Sequence, residues 1–231
     1  MDAVNSFFRK FYSYLLNHLG IFRIKLVSAF RRLFNEQHQL TSKTYSDRYP
    51  QLFAEVVKAM PDTGRPLNLL SFGCSTGEEC FSLKKYFPNA RIVGADINTL
   101  NLAIARSKNT NPDITFIYSK PENLLKFAPY DAVFCLSVLC RWEDTKDLQN
   151  CEAIYPFTKF EKTVKELTAM VATGGLFLLY NSNFRFEDTS SFRDFEIVEA
   201  PLPNSGFVHK FDRFNNRVTE EHVHCIYRKL A

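Results

Sequence analysis

The stretch Leu69-Leu70-Ser71-Phe72-Gly73-Cys74-Ser75-Thr76-Gly77-Glu78-Glu79-Cys80-Phe81-Ser82-Leu83, LLSFGCSTGEECFSL, passes from an apolar run through a polar turn with two glycines into a helix start. Strand, glycine turn and helix in that order open a parallel sheet. The chain beyond it keeps alternating. Leu67–Phe72, Arg91–Ala95, Ile114–Tyr118, Ala132–Leu136 and Leu176–Tyr180 read as short apolar strands. Helices are expected over Glu78–Tyr86, Thr99–Lys108, Pro121–Leu125 and Thr158–Met170, the last stopped near Gly174-Gly175. A further helix, Pro50–Met60, precedes the first strand. Strands separated by helices imply right-handed crossovers and a sheet covered on both faces. The end differs: Glu196–Pro201 and Val223–Arg228 are strand-like with no crossover helix between them, so they predict an antiparallel closing hairpin.

With 231 residues, 45% of them hydrophobic, the chain is long enough to bury a sizeable core as one domain with an appendage. Net charge is only +4, and the part beyond residue 36 is nearly neutral, so nucleic acid is not expected as a partner. None of the six cysteines stands in a C-x-x-C pair, so no metal site is expected, and free cysteines in apolar runs suit a reducing, cytoplasmic setting. There is neither a spanning apolar run nor a secretory pattern.

Between Asp2 and Glu36 there is no acid, while Arg9, Lys10, Arg23, Lys25, Arg31 and Arg32 all fall there. Phe11, Leu15, Leu19, Phe22, Leu26, Phe30 and Leu33 recur three and four apart, which predicts an amphipathic basic helix over residues 4–35. Packing on the main domain or a partner, and peripheral contact with an anionic membrane surface, are both open readings of it. Residues 36–50 read as a linker or lid approach. The expected division is 1–49, helix and linker, and 50–231, the α/β domain.

The turn Gly73–Gly77 lies where an open sheet binds ligands, beyond the carboxyl end of its first strand. Ser75 or Thr76 can donate a hydroxyl or cap the helix. Asp96 ends the second strand about 20 residues later, placed to accept both hydroxyls of a ribose, or to cap the helix from Thr99. A dinucleotide fingerprint would need glycine where Ser75 and Glu78 stand, and an acid at that helix start would repel a pyrophosphate. A cofactor without phosphate and with a cationic centre suits the turn better.

Here the sequence resembles the class I S-adenosylmethionine-dependent methyltransferases, over roughly Pro50 to Tyr180. LLSFGCSTGEE, RIVGADIN, Tyr130–Cys135 and TGGLFLLY match successive motifs, and the first is most similar to that of the chemotaxis-receptor (CheR-like) glutamate methyltransferases. The resemblance implies a Rossmann-like, doubly wound, mostly parallel seven-stranded sheet with S-adenosylmethionine as cofactor. It implies that Gly73, Cys74, Ser75 and Gly77, with Thr76 and Glu78, line the cofactor site. Asp96 would bind the ribose and Ile97 cover the adenine, with Leu136 and Ser137 near cofactor and acceptor. Many members have an acid after strand three; this chain has Ser119-Lys120-Pro121, with Glu122 nearby.

Methyl transfer from a sulfonium needs positioning and desolvation more than dedicated catalytic groups. Trp142, Glu143, Asp144, Asn181, Tyr155 and His209 each have a structural reading at least as good as a chemical one, so no catalytic residue is assigned. Pro203–Asn216, with Phe207, His209, Phe211 and Phe214, is expected to form an aromatic wall over the acceptor pocket. The leading reading is a methyltransferase acting on a small-molecule or protein acceptor. The alternative is a cofactor-binding or inactive scaffold, recruited to a membrane by its first helix.

Overall fold

The computed structural model describes residues 37–39, 41–60 and 63–231. The chain forms two compact units, Met1–His38 and Gln39–Ala231. The basic helix expected over residues 4–35 lies outside the described residues. In the second unit, helix α1 (Pro50–Ala59) precedes β1 (Asn68–Phe72), α2 (Glu78–Tyr86), β2 (Arg91–Asp96), α3 (Thr99–Lys108) and β3 (Ile114–Tyr118). Then come α4 (Pro121–Leu125), β4 (Tyr130–Leu136), α5 (Trp142–Thr145), α6 (Phe157–Ala169) and β5 (Val171–Tyr180). Two 3-10 turns, Phe186–Asp188 and Ser190–Asp194, lead into β6 (Phe195–Ile197), and β7 (Ile226–Lys229) closes the sheet.

The strand order is β3-β2-β1-β4-β5-β7-β6. β1 to β5 run parallel, and β7 is antiparallel to both β5 and β6. This is the doubly wound sheet with its closing hairpin that the alternation predicts.

The two-residue period of the strands divides the core in two. Leu69, Ala132, Phe134, Leu176, Leu178 and Ile226 pack on one face with Leu52, Phe53 and Val56 of α1. Leu70, Val133, Cys135, Phe177, Leu179 and Tyr227 pack on the other with Phe157, Phe160, Val164 and Leu167 of α6. Every residue of β4 is buried, as a central strand between two helical layers requires.

β5 departs from expectation. It starts at Val171, not Leu176, and its pairing with β4 shifts register between Tyr130 and Ala132. Gly175 sits in that irregularity, where a Cβ would lie 2.9 Å from both Ala172 O and Asp131 O. The glycines therefore mark a bulge in a longer strand, not the gap before a new one.

On the α6 face the core is strongly aromatic. Phe184 is surrounded by Tyr155, Phe157, Phe160 and Phe211, with ring centroids 5.2 to 6.3 Å away. Phe184→Ala would leave a ring-sized void, so it is expected to cost roughly 3–5 kcal/mol of stability in urea unfolding. Phe214, 64% exposed, is the matched control: its truncation to Ala should cost under about 0.5 kcal/mol.

Candidate active site at the carboxyl edge of the sheet

Strand order reverses between β1 and β4, so the crevice opens beyond the carboxyl ends of these two strands. The Gly73–Gly77 turn lies at its floor. Gly73 N and Cys74 N both donate to Ala95 O of β2, at 2.7 and 3.1 Å, folding the turn back over the neighbouring strand. That path needs a φ of +78° at Gly73, and a Cβ there would collide with the Val138 side chain.

Asp96 is nearly buried, and both of its oxygens are aimed by the backbone. Oδ2 accepts from Ser75 N at 2.8 Å and Oδ1 from Asn98 N at 2.7 Å. Asn98 in turn caps α3, its side chain accepting from Leu100 N and Asn101 N. One carboxylate therefore ties the turn to the end of β2. A carboxylate offers about four acceptor positions, and one whose oxygens are fixed by backbone N–H donors is a suitable acceptor for hydroxyls. Asp96 thus holds the crevice in shape and suits a diol, and the helix cap falls to Asn98.

The other residues implied by the resemblance divide. Ser75 has φ +51°, and Asn101 Nδ2 donates to its hydroxyl at 3.4 Å. Ile97 is half-buried at the end of β2, and Leu136 is buried at the end of β4. Ser137, with φ +57°, lies 2.8 Å from the Tyr49 hydroxyl through Oγ and accepts from Asn181 Nδ2 at 2.9 Å. Cys74 is buried, its thiol pushed well up by a hydrogen bond with Cys80 and by burial. Thr76 donates to Glu78 Oε2 at 2.6 Å, and Lys108 Nζ donates to Glu78 Oε1 at 2.7 Å. Burial works against ionisation of Glu78, but these two bonds outweigh it and hold its carboxyl below the usual range. The charge of Glu78 is therefore compensated by α3, and the turn is less acidic than its sequence suggests. Glu122 is exposed.

Residues 36–50 read as a linker or lid approach, and residues 41–49, with Gln39, run as a strap over this edge. Gln39 Nε2 donates to Cys140 Sγ at 3.2 Å. Ser42 accepts from Ser75 Oγ through its carbonyl at 3.4 Å and from Asn101 Nδ2 through its hydroxyl at 3.1 Å. Asp47 N donates to Ser82 Oγ at 2.8 Å. The Tyr49 ring packs edge-on against Tyr180 at 5.3 Å, and burial pushes its hydroxyl up to about 12.

The opposite wall is stapled by two asparagines. Asn181, buried with φ +54°, accepts from Phe207 N at 2.8 Å while donating to Ser137. Asn183 accepts from Arg141 N at 2.6 Å and donates to Thr145 Oγ1 and His209 O. The Pro203–Asn216 excursion is thereby tied to the segment after β4. Trp142 meets Phe207 edge-on at 5.3 Å and His209 at 5.2 Å. Phe211 belongs to the core instead, and Phe214 faces outward beneath Arg213. Of the expected aromatic wall, only Phe207 and His209 join Trp142. Tyr155 is core, and Glu143 and Asp144 are exposed in ion pairs with Lys146 and Arg141.

Several residues at this edge carried no sequence signal: Tyr49, Ser42 and Asn101 on the strap side, and two titratable groups, the half-buried Glu79 and the buried Lys210. Glu79 accepts from Ser71 Oγ at 2.8 Å, and burial pushes its carboxyl up to about 8 against the opposing effects of Ser71 and Arg48. Lys210 donates to Ser182 O at 2.8 Å, and burial brings its amine down to about 8. A groove of about 710 Å³ lined by Arg65, Arg91 and Lys126 lies at the amino ends of the strands, on the opposite edge.

Residues 69–175 match the model of a methyltransferase domain family. A malonyl-[acyl-carrier protein] O-methyltransferase of Ilyobacter polytropus is 28% identical over 113 residues, 45% of this chain and 40% of that protein. The chain thus spans well under half the length of this curated relative. Among solved structures, a precorrin-6y C5,15-methyltransferase of Geobacter metallireducens aligns at a TM-score of 0.48 and 14% identity, over 83% of this chain and 94% of that one. TehB of Haemophilus influenzae aligns at 0.47 and 15%, over 77% and 61%.

Glu79 yields a pH prediction. Its folded-state pKa lies above the unfolded value, so the folded state holds the extra proton and loses stability as pH rises from about 5 to about 9. Glu79→Gln keeps the Ser71 bond without the charge. It should stabilise the chain at pH about 9, by on the order of 2 kcal/mol, and be nearly neutral at pH about 5, in paired urea titrations. Residues 69–175, the part that matches the methyltransferase domain model, are thus built across the switch point of the sheet.

Proposed function

We propose that the chain is an S-adenosylmethionine-dependent methyltransferase whose acceptor atom is an oxygen, most simply a carboxylate. The observation that carries the cofactor half is Asp96: a nearly buried carboxylate at the end of β2, aimed by Ser75 N and Asn98 N beside a glycine turn. In this reading Asp96 holds the ribose hydroxyls, the turn 73–77 borders the amino acid part, and Ile97, Leu136 and Ser137 border the rest. The cofactor, when bound, supplies a methyl group on a cationic sulfur that departs as a neutral thioether.

The protein's own task is then to orient an acceptor and exclude water. The strap over the turn and the Trp142–Phe207–His209 group beside it suit both. The oxygen acceptor rests on three supports. The curated relative is named an O-methyltransferase. LLSFGCSTGEE is similar to the motif of glutamate methyltransferases. And the acids nearest Trp142 are exposed ion-pair partners, so a nucleophile already ionised at neutral pH fits best because it needs no general base.

Calorimetric titration with S-adenosylhomocysteine should show saturable binding to the wild type, weakened at least about tenfold in Asp96→Ala. The variant's circular dichroism must stay native. No binding by folded wild type would overturn the cofactor assignment. With radiolabelled S-adenosylmethionine and a cell extract, label should enter products that release volatile methanol in mild base. Label stable to base would overturn the carboxylate.

A further inference from the structure

Three side chains outside the methyltransferase crevice converge on one point. Glu187 lies in the 3-10 turn after β5, and His222 and His224 lie in the segment leading into β7. Glu187 Oε1 is 2.9 Å from His222 Nε2 and 3.2 Å from His224 Nδ1. One ligand atom from each of the three residues falls within a sphere of contacts no wider than 4.8 Å. We propose that Glu187, His222 and His224 form a binding site for a divalent transition-metal ion of the zinc type.

The donor set is the first argument. Two imidazole nitrogens and one carboxylate oxygen suit Zn²⁺ and its first-row neighbours, whereas Mg²⁺ and Ca²⁺ prefer oxygen alone. With metal–ligand bonds of about 2.0–2.1 Å, ligand atoms around a tetrahedral ion stand about 3.3 Å apart. Two of the three separations, 2.9 and 3.2 Å, need only a small outward movement to admit one, and all three atoms lie within 4.8 Å of one another. The imidazole planes cross at 82°, with centroids 5.7 Å apart, so the two rings approach the shared oxygen from different directions. Three protein ligands leave a fourth position for water or a substrate atom.

The surroundings are the second argument. A ligating histidine is normally held by an oxygen on its other nitrogen. His222 Nδ1 is 2.8 Å from Ser205 Oγ. His224 Nε2 faces Glu199 Oε1 at 3.9 Å. Tyr227 donates to the second oxygen of Glu187 at 3.1 Å, which turns Oε1 toward the histidines. His222 and Glu187 are thus oriented from outside by hydrogen bonds, while His224 has the exposed Glu199 carboxylate nearby. His222 and Glu187 side chains are 12% and 20% exposed and His224 33%, which shelters the site yet leaves an entry path.

The placement says what an ion would do. It would join the turn after β5 to the chain entering β7, closing a loop between Glu187 and His222, which are 35 positions apart. That loop contains the Pro203–Asn216 excursion that walls the crevice. Ser205 connects the two places: its hydroxyl meets His222, and its carbonyl accepts from Asn181 N at 2.9 Å. The ion would therefore act as a clasp on that wall. The absence of cysteine pairs gives no sign of this site, because its ligands are a His-x-His and a distant glutamate.

The test uses the full chain, stripped with chelator, dialysed, and titrated with Zn²⁺ alone. One equivalent should bind, and the thermal midpoint should rise by several degrees at saturation. His224→Gln and His222→Gln should each weaken binding at least about tenfold while leaving the apo protein folded. Co²⁺ in place of Zn²⁺ should give a visible spectrum without thiolate charge-transfer bands. Failure of folded wild type to bind, binding that either histidine variant keeps within tenfold, or thiolate bands from the buried cysteines would each overturn the proposal. None of these readouts uses methyl transfer, so the site stands or falls apart from the proposed activity.

Discussion

The crevice hangs on one buried carboxylate. Asp96 receives the backbone N–H of Ser75 with one oxygen and that of Asn98 with the other. A left-handed turn after β1 is a costly conformation for Ser75, and the bond from its backbone N–H to Asp96 on the neighbouring strand helps to hold it. The same bonds settle where β2 ends and α3 begins, since Asn98 can cap the helix only if its backbone is held. Hydrogen bonds to a carboxylate are stronger than neutral ones, so this single side chain organises two loops at once.

Around that anchor, charges are handled locally. Glu78 is answered by Lys108 and Thr76. Glu79, close behind, keeps its proton to well above the usual range because burial outweighs its one hydroxyl donor. The acidity written into Gly77-Glu78-Glu79 is thus largely compensated, which leaves Asp96 to set the chemistry of the floor. On the far wall two carboxamides make the ties. Asn181 and Asn183 each donate and accept, and so hold the Pro203–Asn216 excursion against the segment after β4 through neutral groups.

The sheet itself was legible because each strand announces itself locally. A run such as Ala132–Leu136, apolar throughout, reads as a central strand with helices on both faces. The β5 start was misplaced because a glycine pair signals a break in a strand and a bulge within one equally well. Only contact with the Asp131 carbonyl distinguishes them. Phe211 and Phe214 show the same limit: three residues apart in one loop, one is core and the other solvent-facing. Nothing in the local pattern separates them, because what decides is Phe184 waiting on one side only.

By itself the sequence determined the alternating architecture, the glycine turn, the acid at the end of β2 and the antiparallel close, because each depends on neighbours within a few residues. Tertiary structure alone decided which groups meet across long separations. It laid 41–49 over the turn, where residues 36–50 read only as linker or lid approach, and paired Tyr49 with Ser137. It turned Glu78 toward Lys108 and gathered Glu187 with His222 and His224. Such meetings depend on where the sheet brings distant loops together, and no periodicity or spacing along the chain encodes that.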